Sequence, residues 1–125
     1  MAFTEERHRA LLVEDDAGIR RLVERLLARR GIEVDSATDG ETALMKLSSN
    51  KYRILILDLM VPKVNGFQII EFIKERNLGL PVAVVSAVSQ QALTRLDLDI
   101  VKVVIPKPFD VDEFTKAIIT LCEEE

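Results

Sequence analysis

Apolar runs and helical stripes alternate along the chain. After a charged arm at residues 1–8, Leu11-Leu12-Val13 predicts a strand. Ile19, Leu22, Val23, Leu26 and Leu27 then recur at the spacing of one helix face. Arg29 and Arg30 suit the negative end of that helix, and Gly31 suits its cap. Ile32 to Ala37 predicts a second, weaker strand. Thr38-Asp39-Gly40-Glu41 fits a capping box opening a helix with Ala43, Leu44 and Leu47 inward. Ile54-Leu55-Ile56-Leu57 is apolar without a break, the pattern of a strand buried on both faces. Residues 62–66 read as a loop, and Phe67, Ile70 and Ile73 mark the next helix. Pro81 to Val85 is another apolar strand. Gln90 to Leu96 fits a short helix, Val101 to Ile105 a strand. Asp110 to Leu121 closes the series as a helix with Val111, Phe114, Ala117, Ile118 and Leu121 facing in.

The order is strand then helix, five times over. Such alternation with short connections predicts an α/β domain, a doubly wound five-stranded parallel sheet with helices on both faces. No repeat or internal linker interrupts it. Glu123-Glu124-Glu125 puts negative charge at a helix C-terminus, where it is unfavourable. A frayed end or the start of a linker is expected there, which gives a domain at 9–122 followed by an acidic tail at 123–125.

Composition narrows the class without changing this picture. The 125 residues suit one domain, and 48% apolar with 30% charged residues is an ordinary globular balance. A net charge of −4 gives no general attraction to nucleic acid or anionic membranes. The single cysteine, Cys122, excludes an intrachain disulfide. It falls at the edge of the last helix's apolar face, as a buried or half-buried thiol would. No secretory signal core and no run long enough to cross a membrane is present, so a cytoplasmic location is expected. His8 lies before any core and reads as a surface residue.

The chemistry is at the ends of the strands. In ILILDLM, residues 54–60, six of seven residues are apolar and the seventh is Asp58. Burying a lone charge is costly. In an open α/β sheet, however, ligands bind beyond the carboxyl ends of the strands. The first strand ends at Glu14-Asp15-Asp16, the third at Asp58 and the fourth at Ser86, and the fifth leads into Pro106-Lys107-Pro108. All share one rim. Crowded carboxylates repel and call for a cation, and hard oxygen ligands favour Mg²⁺ or Mn²⁺. A lysine and a hydroxyl beside such a cation make a site for a phosphoryl group, with an aspartate as nucleophile. Taken singly, Asp58 could end a strand, Ser86 could be a turn serine and Lys107 a solvated loop residue. Asp16 is read as a helix cap.

Together, Leu11-Leu12-Val13-Glu14-Asp15-Asp16, Leu57-Asp58-Leu59-Met60-Val61-Pro62 with Gly66, Val84-Val85-Ser86-Ala87 and Pro106-Lys107-Pro108-Phe109 resemble the receiver domain of two-component response regulators. The likeness runs from about Arg9 to Leu121. It implies a flavodoxin-like (βα)5 fold with strand order 2-1-3-4-5. It implies Asp58 as phosphoacceptor. Glu14, Asp15, Asp58 and the backbone carbonyl of Met60 would then be the metal site. Ser86, the Ala87 backbone N–H and Lys107 would hold the phosphoryl group, and Lys107 would be followed by a cis peptide to Pro108. The implied donor is phosphohistidine on a histidine kinase or phosphotransfer protein. The implied recipient of the signal is an output domain or partner protein, with no direct nucleic acid binding and no membrane. The domain would assist its own phosphorylation and dephosphorylation without being an independent enzyme.

Several positions depart from the family pattern. Val104 stands where members usually carry Tyr or Phe, a ring that moves inward when the Ser/Thr engages the phosphoryl group. Valine has no ring to swing and is stiff at χ1. A switch built on Ser86 and Val104 must therefore use backbone shifts, Ser86 motion or reordering of the segment after it. That segment, through Arg95-Leu96-Asp97-Leu98-Asp99-Ile100, lacks the usual Gly-Ala pair. Pro106 removes a backbone N–H at the end of a strand. Met60 and Val88, each two residues beyond a site residue, cannot hydrogen-bond an attacking water, so slow self-dephosphorylation is expected. The alternative to a switch is a constitutive interaction module with the same fold. A flavin site fits poorly, since the first turn is acidic where a flavin phosphate needs a Ser/Thr/Gly-rich cradle.

Overall fold

A computed structural model describes residues 9–124. The charged arm with His8, and Glu125, lie outside the described residues. Ten elements alternate: β1 (Arg9–Val13), α1 (Ala17–Ala28), β2 (Glu33–Ala37), α2 (Gly40–Ser49), β3 (Ile54–Leu57), α3 (Gly66–Glu75), β4 (Val82–Ser86), α4 (Gln90–Leu93), β5 (Val101–Pro106) and α5 (Val111–Glu123). The strands form one parallel sheet in the order β2-β1-β3-β4-β5. This is the doubly wound, flavodoxin-like arrangement that the motifs imply.

Alternation along each strand sends side chains to two cores. Leu11, Val13, Leu55, Leu57, Val82 and Val84 meet α2 and α3 on one face. Ala10, Leu12, Ile54, Ile56, Ala83 and Val85 meet α1 and α5 on the other. β3 lies between β1 and β4, and all four of its residues are buried. That is why its sequence is apolar without alternation.

Local chemistry sets where the helices begin. Asp16 caps α1 by accepting from the Ile19 N–H at 2.9 Å. The cap of α2 is Asp39, one residue later than the Thr38 capping box predicts. Its carboxylate accepts from both the N–H and the hydroxyl of Thr42. The reason lies at Gly40, whose N–H donates to the Pro62 carbonyl. A Cβ on Gly40 would fall 1.7 Å from the Val64 carbonyl oxygen, so the helix must start at a residue without one. Asn65 and Gln68 form the capping box of α3.

Four other expectations shift. Leu22 and Val111, placed inward by periodicity, are exposed at the margins of their helices. Phe67 is only half-buried, while Ile69 takes the deep position in α3. α4 stops at Leu93, although Leu96 beyond it is buried. α5 continues past Leu121 to Glu123, helped by Arg53, whose Nε donates to the Cys122 carbonyl at 2.8 Å. That bond satisfies a carbonyl otherwise orphaned at a helix end.

Candidate functional site

The strand pairing brings the rim residues together. Val13 faces Leu57, and Leu57 faces Val84, so Glu14, Asp58 and the end of β4 share one level. The ladder then runs one residue past the strands. The Asp58 N–H donates to the Val13 carbonyl, and the Lys107 N–H donates to the Ser86 carbonyl. Pro106 faces Ser86 and lacks an N–H, but Lys107 supplies the bond next along. The Lys107–Pro108 peptide is cis, as the resemblance implies.

Asp58 is buried, and both its carboxylate oxygens are engaged. Oδ1 accepts from the Met60 N–H at 3.0 Å and from the Ser86 hydroxyl at 3.1 Å. Oδ2 accepts from Lys107 Nζ at 2.9 Å. Lys107 is shared, since Nζ also donates to Glu14 Oε1 at 2.7 Å. Glu14 is 2% exposed, and its second oxygen accepts from the Asp16 N–H. Burial pushes the Glu14 carboxyl above its ordinary value despite the lysine beside it. Burial also works against the charge on Lys107, but its bonds to Glu14 and Asp58 prevail and hold its pKa above the ordinary value. The ammonium is thus kept charged between two carboxylates.

Asp15 is exposed, and it points to the same place. Carboxylate oxygens of Glu14, Asp15 and Asp58 lie within 4.8 Å of one another. Three hard donors at that spacing, one of them open to solvent, fit a divalent cation that keeps several waters. Met60, two residues after Asp58, is 67% exposed. Ser86 is buried against Asp58, while Ala87 after it is exposed at the rim. Val104 lies one strand away, half-buried opposite Val84. Its side chain is apolar and makes no hydrogen bond to the cluster.

One contribution escapes sequence reasoning. Arg20, one turn into α1, donates from Nη1 to the carbonyls of Glu14 and Asp15 at 3.2 and 3.4 Å, which braces the acidic turn. The signal was an arginine five and six residues after two acids on a helix whose start was already placed. Gly66, already part of the Asp58 motif, has its physical reason in the packing. A Cβ there would lie 2.6 Å from the Leu59 Cα, so α3 closes onto the residue after Asp58 only because position 66 is glycine.

A family model for the response regulator receiver domain matches residues 10–119. The transcriptional regulatory protein DltR of Streptococcus agalactiae is 36% identical over 107 residues, which cover 84% of this chain and 47% of that protein. The response regulator ArlR of Staphylococcus saprophyticus is 34% identical over 105 residues, 82% of this chain and 47% of that one. The chain spans about half the length of these curated relatives. Among solved structures, the non-phosphorylated HemR receiver domain of Leptospira biflexa superposes with a TM-score of 0.83 at 29% identity, covering 94% of this chain and 95% of that one. The response regulator TrrA of Thermotoga maritima, in complex with Mg(2+)-BeF, superposes with a TM-score of 0.80 at 28% identity, covering 90% and 97%. The chain belongs to the response regulator receiver domain family.

Proposed function

We propose that the chain accepts a phosphoryl group on Asp58 from phosphohistidine of a histidine kinase or phosphotransfer protein, and that the modification switches a protein-interaction surface. The observation that carries this reading is the polar enclosure of Asp58. One carboxylate oxygen faces a lysine held charged, the other faces a serine hydroxyl, and the acidic cluster beside them suits a divalent cation.

Mg²⁺ held by Glu14, Asp15 and Asp58, with the Met60 carbonyl as a further ligand, would neutralise charge on the phosphoryl oxygens. Asp58 is the nucleophile, and burial of β3 fixes its direction. Lys107 stabilises negative charge that builds up during transfer. The new phosphoryl group offers three acceptor oxygens, which Ser86, the Ala87 N–H and Lys107 would take as donors. The domain is a participant in its own modification, not an independent enzyme. Its output partner is a further domain or a separate protein, as suits a chain half the length of relatives named as regulators. TrrA, solved with Mg(2+)-BeF, supports the same ligand chemistry here.

The test is Mg²⁺-dependent labelling of the parent and of Asp58→Ala, read as a mass shift. Labelling is expected in the parent alone, and a labelled Asp58→Ala protein sinks the assignment. One observation favours a second reading, a module whose surface does not switch. Val104 has no aromatic ring and no polar tie to the site. If Asp58 takes the label while the NMR signals of residues 87–107 stay in place, the second reading replaces the first.

A further inference from the structure

A phosphoryl donor is an anion, and the rim it must reach is acidic. Glu14, Asp15 and Asp58 converge there, and the charge of Lys107 is already divided between Glu14 and Asp58. Beside this cluster opens a cavity of about 570 Å³ whose walls include Asp15, Met60, Phe67, Val88 and Arg95. Arg95 is its cation. The guanidinium carbon sits 4.6 Å above the centre of the Phe67 ring. Among the described residues no carboxylate pairs with it. An arginine on an aromatic face, open to solvent and without an acid partner, has its planar donors available. Leu96 beside it is buried, and Asp97 pairs with Lys74 at 3.4 Å.

We infer that Arg95 is a positioning residue for small acyl phosphate donors, binding the carboxylate that leaves as Asp58 is phosphorylated. This rests on the receiver reading of Asp58. An Asp58 carboxylate oxygen attacks phosphorus, and the bond from phosphorus to the acyl oxygen breaks. That oxygen departs with the electron pair as a carboxylate, so no proton is needed and charge is conserved. The departing group needs a cation on the side of the site facing solvent. Met60 and Val88 give the cavity apolar walls for the acyl carbons, and Arg95 gives a two-pronged donor for the carboxylate. Stacking on Phe67 is the weaker of the two interactions open to the guanidinium, so the ring parks the side chain without trapping it.

The experiment follows the initial rate of Asp58 labelling by mass spectrometry, at fixed Mg²⁺, against donor concentration. Acetyl phosphate has a carboxylate leaving group, and phosphoramidate has ammonia. For Arg95→Gln the slope with acetyl phosphate is expected to fall about 5- to 10-fold, while the slope with phosphoramidate holds. Arg95→Lys should recover part of the loss, since it restores the charge but not the fork. An equal fall with both donors makes Arg95 a structural residue and overturns the inference, as does no fall with either. A parent labelled by neither donor overturns this inference, while the reading of Asp58 as phosphoacceptor falls only if phosphohistidine fails to label it too. A parent labelled by phosphoramidate with acetyl phosphate indifferent to position 95 overturns this inference alone.

Discussion

The two halves of the rim are built differently. On the β1–β3 side every residue of β3 is buried, the register with β1 is regular, and glycines let loops close directly onto the strand ends. On the β4–β5 side the register shifts between Val82 and Ala83, α4 is a single turn with no buried residue, and Val104 is half-buried. The carboxylates stand on the first side, Ser86 and Lys107 reach Asp58 from the second, and the loosely packed α4 segment follows Ser86. Catalytic groups need fixed geometry, whereas a switch is drawn from low-stability structure. The proposed function would need both, fixed geometry at the cluster and looseness in the α4 segment beyond Ser86.

Leu57→Ala is the strongest test of that contrast. Leu57 is fully buried one residue before Asp58, and truncating such a leucine costs about 3–5 kcal/mol. Leu93→Ala, in the half-buried turn of α4, should cost less than about 1 kcal/mol. Urea denaturation of both variants checks it. Similar losses would mean that α4 is as firmly built as β3.

Gly40→Ala comes next. Its Cβ would collide with the Val64 backbone, which no rotamer change relieves. A loss of about 2–3 kcal/mol is expected on the same urea scale. Because Val64 belongs to the loop after Asp58, the variant should also slow Asp58 labelling. A stable variant with normal labelling would show that the loop is pliant, and the stiff half would lose its main support.

Much of this was legible in the chain. The break in apolar character at Asp58 could be read only together with Glu14, Asp15, Ser86 and Lys107, which end neighbouring strands on the same rim. Asp16 was legible as a cap for a local reason. Leu22 and Val111 were misplaced because helical periodicity sets a face but not its width. Thr38 lost the cap to Asp39 because the choice depends on a collision with Val64, 24 residues away in sequence. Arg20 and the Arg95–Phe67 stack were hidden for a related reason. They depend on where one element ends against another, which spacing within an element does not encode.

Ser89→Ala probes the loose half directly. The Ser89 hydroxyl accepts from the Ala92 N–H, which is the N-cap of α4. Losing such a cap costs about 1 kcal/mol locally, so amide exchange at Ala92 and Leu93 should quicken about 5-fold. The urea midpoint should barely move, because the turn contributes no buried residue. A matching fall in global stability would tie α4 to the core and weaken the contrast.

Cys122 tests how firmly the far end of α5 is held. Burial pushes its thiol from the ordinary 9.0 up to about 11, with the neighbouring Arg53 working the other way. At pH 8 a two-unit rise leaves about 100-fold less thiolate than in a free thiol. Alkylation of the folded protein should be slower than that of the urea-unfolded chain by about that factor. Since the folded value lies above the unfolded one, the associated stability is complete below pH 9 and is lost as pH rises through about 11. Arg53 holds the Cys122 carbonyl, so Arg53→Ala should free the helix end and raise the alkylation rate toward the unfolded value. An unchanged rate in that variant would assign the protection to apolar packing on the α1–α5 face, and the stiff region would then reach the end of α5 without its cap.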